Sequence, residues 1–205
     1  YSIQDNLEPK LDWLQMKLAL DDASLSKLVQ RKPEVFGYSI DTNLRPKLDW
    51  LEAKFQMKEE HPDDEGEIDN DETSYSPSLC KFVKRLPAVF GYSIEKKLEP
   101  TCQWLEMRME LNDRGLQRFI LRFPSVLGNN VEENLEPTLS FYESCLGRDI
   151  ALLLVSKNPT MLSASLQTRL MPRLEQLQKL GMTVDAETMR RMAVDTIERW
   201  EASLL

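Results

Sequence analysis

Two columns of basic residues recur at fixed distances ahead of prolines. Arg31, Arg85, Arg122 and Lys157 each stand two positions before a proline: Pro33, Pro87, Pro124 and Pro159. Four positions earlier come Lys27, Lys81 and Arg118, while Leu153 interrupts that second column. On a helix, residues at i and i+4 share a face, so each pair would project from one side. Guanidinium and ammonium groups repeated in this way suit a phosphate backbone, which is held by charge and hydrogen bonds without its bases being read. They also suit a plainer role. A cation in the last turn of a helix complements the negative end of the dipole, worth about 0.3–1 kcal/mol. Repetition follows from either role and does not choose between them.

The elements that would carry these columns repeat as well. FGYSIDTNLRPKLDWL (36–51) returns as FGYSIEKKLEPTCQWL (90–105), more loosely as LGNNVEENLEPTLSFY (127–142) and LSASLQTRLMPRLEQL (162–177). The chain opens inside another copy, YSIQDNLEPKLDWL (1–14). A second proline follows the first by 13 residues in each complete unit, at Pro46, Pro100, Pro137 and Pro172, and Pro9 aligns with these. Self-similarity at such a period is the signature of a stacked helical array. We therefore expect a partial unit over 1–20, complete units over 21–57, 76–111, 112–147 and 148–182, and a terminal helix over 183–205.

Ahead of each first proline lies a short stretch with one apolar face: Leu25, Leu28 and Val29, then Leu79, Phe82 and Val83, then Leu116, Phe119 and Ile120, then Leu152 and Val155. Each such helix must stop near its proline, because the preceding residue is pushed out of the α region. The apolar pairs Val35–Phe36, Val89–Phe90, Val126–Leu127 and Met161–Leu162 then read as tight turns plugging the core. A longer helix follows, exemplified by Leu44, Leu48, Leu51 and Phe55, with the second proline early in it. Trp13, Trp50, Trp104, Phe141 and finally Gln176 share one repeat position, read here as packing residues. The closing stretch 184–205 reads as one helix through Met189, Met192, Ala193, Ile197 and Trp200, the departure from consensus expected of a capping unit.

Net charge bears on the partner. The chain has 26 Lys and Arg against 34 Asp and Glu, but nine of the acids fall within 59–72, where there is no Lys or Arg. The remainder is 26 basic to 25 acidic, so the acidity belongs to one insert. Residues 58–75 lack apolar periodicity and are expected to form an acidic, disordered insert. They hold His61, the sole histidine, which predicts no specific metal site there. With one histidine, no Gly-rich phosphate loop and no nucleophile beside a plausible base, the chain is not expected to be an enzyme, and neither catalytic nor metal residues nor a cofactor are assigned. Cys80, Cys102 and Cys145 show no metal-ligand spacing and suit a reducing compartment. No apolar run reaches the roughly 20 residues of a membrane helix. Starting without Met and inside a repeat, the sequence reads as part of a longer protein whose targeting segment would lie upstream.

The series basic residue, Pro, Val-Phe or Val-Leu, then N-L-x-P-x-L-x-W-L resembles the repeats of the mitochondrial transcription termination factor (mTERF) family. The likeness covers nearly the whole chain outside the insert. It implies an all-α helical-repeat solenoid, with repeats of two α-helices plus a short 3₁₀ turn in a left-handed superhelix. It also implies a monomeric protein of the mitochondrion or plastid that binds organellar DNA or RNA, for double-stranded DNA binding and transcription termination or for RNA processing. Carried onto this chain, the candidate nucleic-acid-binding residues are Lys27, Arg31, Lys81, Arg85, Arg118, Arg122 and Lys157. Lys47, Lys96, Lys97, Arg169 and Arg173 form a secondary set that repeats less strictly. The competing reading is a protein-binding scaffold that uses the acidic insert as its docking loop.

Overall fold

The computed structural model describes residues 3–55 and 75–204, and every described regular element is helical. The acidic insert and His61 lie outside the described residues, apart from Tyr75 at the insert's end. The chain divides into two compact units, 1–96 and 97–205.

One element order recurs in both. A short helix comes first: α2 (Asp22–Arg31) and α4 (Pro77–Arg85) in the first unit, α6 (Asp113–Arg122) and α8 (Arg148–Lys157) in the second. Asp21, Ser76 and Asn112 start three of them as N-caps, each side chain accepting from a backbone N–H three residues on. All four stop as the prolines require. Lys32, Leu86, Phe123 and Asn158 leave the helical region with φ between −143 and −128. The proline then opens a 3₁₀ turn: Pro33–Gly37, Pro87–Gly91, Pro124–Gly128 or Pro159–Ser163. Its central Val35, Val89, Val126 or Met161 is fully buried, as expected of a core plug.

The second helices, clearly longer than the first only when the turn that opens them is counted, are α1 (Ile3–Lys17), α3 (Arg45–Phe55), α5 (Glu99–Arg108), α7 (Glu136–Leu146) and α9 (Met171–Lys179). Four of these begin with a feature the sequence reading lacked. A π-helical turn, Ile40–Leu44, Ile94–Leu98, Val131–Leu135 or Leu166–Leu170, precedes the second proline by two residues. In an α-helix the proline ring would meet the carbonyl four residues back and leave it without a donor. The wider turn draws its hydrogen bonds from five residues back, as in Leu44 N–H to Ser39 O (3.0 Å) and Leu135 N–H to Asn130 O (2.9 Å), and so accommodates the ring. At the far end, Ala19, Glu110, Gly147 and Gly181 turn the chain out of the helix at positive φ, from 45 to 80, Gly147 with an extended ψ of 155. Two of the four carry a Cβ in a region that favours glycine.

Each unit has its own apolar core. In the first, α3 packs on α4, and Leu44, Leu48 and Leu51 join Leu79 and Val83 out of solvent. In the second, α7 packs on α8, with Leu135, Leu139 and Val155 fully buried. Tyr142 is sealed inside and donates its hydroxyl to Met161 O at 2.8 Å. The shared aromatic position packs too: Trp13 and Trp104 are buried, Trp50 and Phe141 half-buried. Trp104 Nε1 donates to Glu136 Oε2 at 2.7 Å. Trp13 Nε1 is buried without a partner among the described residues; the register equivalent of Glu136 in the next repeat is Arg45, which has no acceptor.

The C-terminal cap differs from the single expected helix. It comprises α10 (Ala186–Val194) and α11 (Ile197–Ala202). Asp195 is extended, and the Thr196 side chain accepts from Arg199 N–H, so the chain stops and restarts. The break leaves Ile197 67% exposed while Met189, Met192, Ala193 and Trp200 stay buried as expected.

An ion cluster ties α5 to α7. The Arg108 guanidinium donates to both carboxylate oxygens of Glu136 at 2.8–3.1 Å and to both of Glu143 at 2.9–3.2 Å. These hydrogen bonds, with those from Trp104 and Ser140, hold the Glu136 pKa down to about 2 against some desolvation. A depressed carboxylate pKa stabilises the fold above the unfolded value and loses that contribution as pH falls through the folded one. Unfolding midpoints followed from pH 7 to pH 2 should therefore drop between about 4.5 and about 2. Glu136→Gln should be less stable at neutral pH and less sensitive across that window. At the helix ends, Ala19→Gly should raise stability by roughly 0.5–1 kcal/mol in urea denaturation, because it removes the left-handed strain.

Candidate nucleic-acid interface

All seven residues of the two basic columns are exposed. Lys27 and Arg31 lie one turn apart on α2, and Lys81 and Arg85 do the same on α4, all within the first unit. In the second unit α6 presents Arg118 and Arg122 and α8 presents Lys157. At the interruption, Leu153 is 57% exposed and Ile150, one turn before it, 50%. The sequence reading missed Arg114, exposed one turn before Arg118; its i, i+4 spacing was available, but the position does not repeat in the other units.

The columns differ in what their side chains touch. Arg31 Nη1 donates to Lys84 O at 2.8 Å and Nη2 to Arg85 O at 3.1 Å, the last two carbonyls of α4. Arg122 does the same two repeats later. Its Nη1 donates to Ser156 O at 3.1 Å and its Nη2 to Lys157 O at 2.7 Å, closing α8. The physical demand is plain. A helix leaves its last four carbonyls without intrahelical donors, and here the chain beyond cannot supply them all because a proline lacks the N–H. At α8 the accounting is complete: Asn158 N–H serves Leu154 O and Val155 O, and Arg122 serves the other two. Dipole complementation therefore does occur, but across repeats, from one helix to the end of the next.

Lys27, Lys81, Arg118 and Lys157 form no side-chain hydrogen bond or ion pair with any described residue. The charge of Lys27 contributes with that of Lys84 to lowering the Asp21 pKa, mainly a result of hydrogen bonds from Ser24.

Most of the secondary set is occupied in the same way as the arginines. Lys47 is buried, donates to Phe90 O and to Asn43 Oδ1, and lies 5.5 Å from the Tyr38 ring centroid; burial pulls its pKa below the usual lysine value. Lys10, which holds the same repeat position, donates to Phe36 O at 2.6 Å. In the second unit Lys97 donates to Asn129 O. Arg169 donates to Ala193 O at 2.8 Å, and Arg173, buried beneath the Trp200 ring, to Met192 O at 2.7 Å and Asp195 O at 3.0 Å. Four of these five candidates thus act as internal ties, and Lys96 alone of them is exposed without such a tie among the described residues.

Among the described residues no helix is long and apolar enough to cross a membrane, and no three His, Cys, Asp or Glu are placed to hold a metal ion. Cys80 and Cys102 are buried, Cys145 is half-buried, and all three are free thiols. No curated protein matches the chain. The family model of mTERF matches residues 75–198, more than half of the sequence and all but the end of the second unit. With the proline-punctuated helical repeat described above, that match means the chain belongs to the mTERF family.

Proposed function

We propose that this protein binds nucleic acid along the phosphate backbone, as a monomer acting on gene expression in the mitochondrion or plastid. Duplex DNA, and with it transcription termination or regulation, is the first ligand to test; organellar RNA is the second. The observation that carries the reading is the spacing of exposed cations on successive short helices: Lys27, Arg31, Lys81 and Arg85 in one unit, Arg118, Arg122 and Lys157 in the other. Backbone contacts of this kind give affinity and position and leave base identity unread. Membership of the mTERF family supports the reading.

A second reading draws on one repeat only. On α8 the exposed Ile150 and Leu153 stand where the other short helices carry Ser or Gly and Lys or Arg, and an apolar patch suits a protein partner. The acidic insert would then serve as a second contact for a basic partner. Heparin chromatography separates the two: retention of a protein of net charge −8 requires a segregated basic surface, whereas flow-through favours the scaffold.

Binding to duplex DNA should weaken steeply with salt. Four to six phosphates held at about 0.9 per contact give a slope of log K against log salt of roughly −4 to −5. A slope near zero rules the backbone reading out. Arg85→Glu should weaken binding to unrelated sequences by the same factor, and loss confined to one sequence would mean that base edges are read instead.

A further inference from the structure

We propose that the basic ladder is split between two roles. Arg31 and Arg122 are positioning residues that staple one repeat to the next, whereas Lys27, Lys81, Arg118 and Lys157 hold the phosphates. The proposal rests on the backbone-binding reading for its second half only. Its first half stands on geometry. Each of the two arginines spans two successive carbonyls at the end of a neighbouring helix with both terminal nitrogens. A planar fork suits that bridge, and a lysine ammonium, which is a compact point charge, does not reproduce it. Held there, the guanidinium faces the negative end of the helix dipole, so much of its charge offsets that end.

Lys157 occupies the arginine column but has no equivalent duty. The short helix packed beside α8 is α10, and arginines of another element already serve its end: Arg173 donates to Met192 O and, just beyond the helix, to Asp195 O, and Arg169 donates to Ala193 O. The Lys157 ammonium therefore remains exposed, as do those of Lys27 and Lys81 and the Arg118 guanidinium. The side chain that ends a staple series is a lysine. Where a fork is needed, at Arg31 and Arg122, the residue is arginine.

The test measures two quantities on the full chain. One is the salt dependence of binding to a 30-base-pair DNA duplex of mixed sequence and to a structured RNA. The other is the melting temperature. The double variants Lys27→Gln/Lys81→Gln and Arg118→Gln/Lys157→Gln should each flatten the duplex slope by about 1.8, at about 0.9 per contact, with the melting temperature nearly unchanged. Arg31→Gln and Arg122→Gln should leave the slope as it is and lower the melting temperature by about 2–4 °C each. Arg31→Lys and Arg122→Lys keep the charge without the fork; they should lose part of that stability, again at constant slope, which covers the case in which a Gln variant does not fold. Flattening of the slope by about 0.9 in Arg31→Gln or Arg122→Gln, the loss of one phosphate contact, overturns the division. An unaltered melting temperature in all the arginine variants overturns the staple. A wild-type chain that binds neither ligand overturns the phosphate half and the function above with it, while the melting data still decide the staple.

Discussion

Basic side chains reaching from one repeat to backbone carbonyls of the next are the interactions on which the rest of the architecture depends. Short helices that end at a proline carry an unusual burden of orphan carbonyls, since the cap residue donates but the proline after it cannot. Isolated helices of 9 or 10 residues are marginal in water. Packing of one apolar face supplies most of their stability, and the guanidinium of Arg31 or Arg122 closes the exposed end. Lys10 and Lys47 repeat the device one layer over, on the carbonyl at the end of the 3₁₀ turn. Breaking such a tie leaves acceptors with water as their only recourse, at a cost of roughly 1–3 kcal/mol where they are buried.

A second constraint follows from the second proline. Placing proline near the start of a helix is ordinary when the helix begins there. Here the helix has already begun, as a π turn capped by Ser39, Asn130 or Ser165. The wide turn lets the chain enter the second helix without a break while its Leu44, Leu135 or Leu170 points into the core at full burial. Proline, cap and buried leucine are thus one device, repeated ahead of Pro46, Pro137 and Pro172.

Function and stability draw on the same residue types in this protein, and burial and partners separate them. Lys47 and Arg173 are basic, near helix starts, and buried as ties. Lys81 and Arg118 are basic, exposed, and without side-chain partners among the described residues. Charge alone therefore misleads as a guide to a binding surface in a repeat protein, because a cation serving a carbonyl of the neighbouring repeat recurs at the same period as one serving a ligand. The Arg108 cluster makes the same point for acids: Glu136 and Glu143 look like solvated helix-face residues until Arg108 draws them together.

The all-α class, the repeat period, the proline stops, the plugging Val and Met residues and the two basic columns were all legible in the amino-acid sequence. They depend on local rules: helical periodicity, the restriction before proline, and spacing along one chain. The π turns were not legible, because the sequence marks a proline near a helix start without saying whether the helix has already begun. Nor was the break at Asp195–Thr196, since Ile197 continues the apolar period while the backbone restarts. The roles of Arg31 and Arg122 were decided only by tertiary structure. Their partners lie 53 and 34 residues away, and a carbonyl acceptor leaves no mark on side-chain identity, so only the packing of one helix end against the next could reveal it.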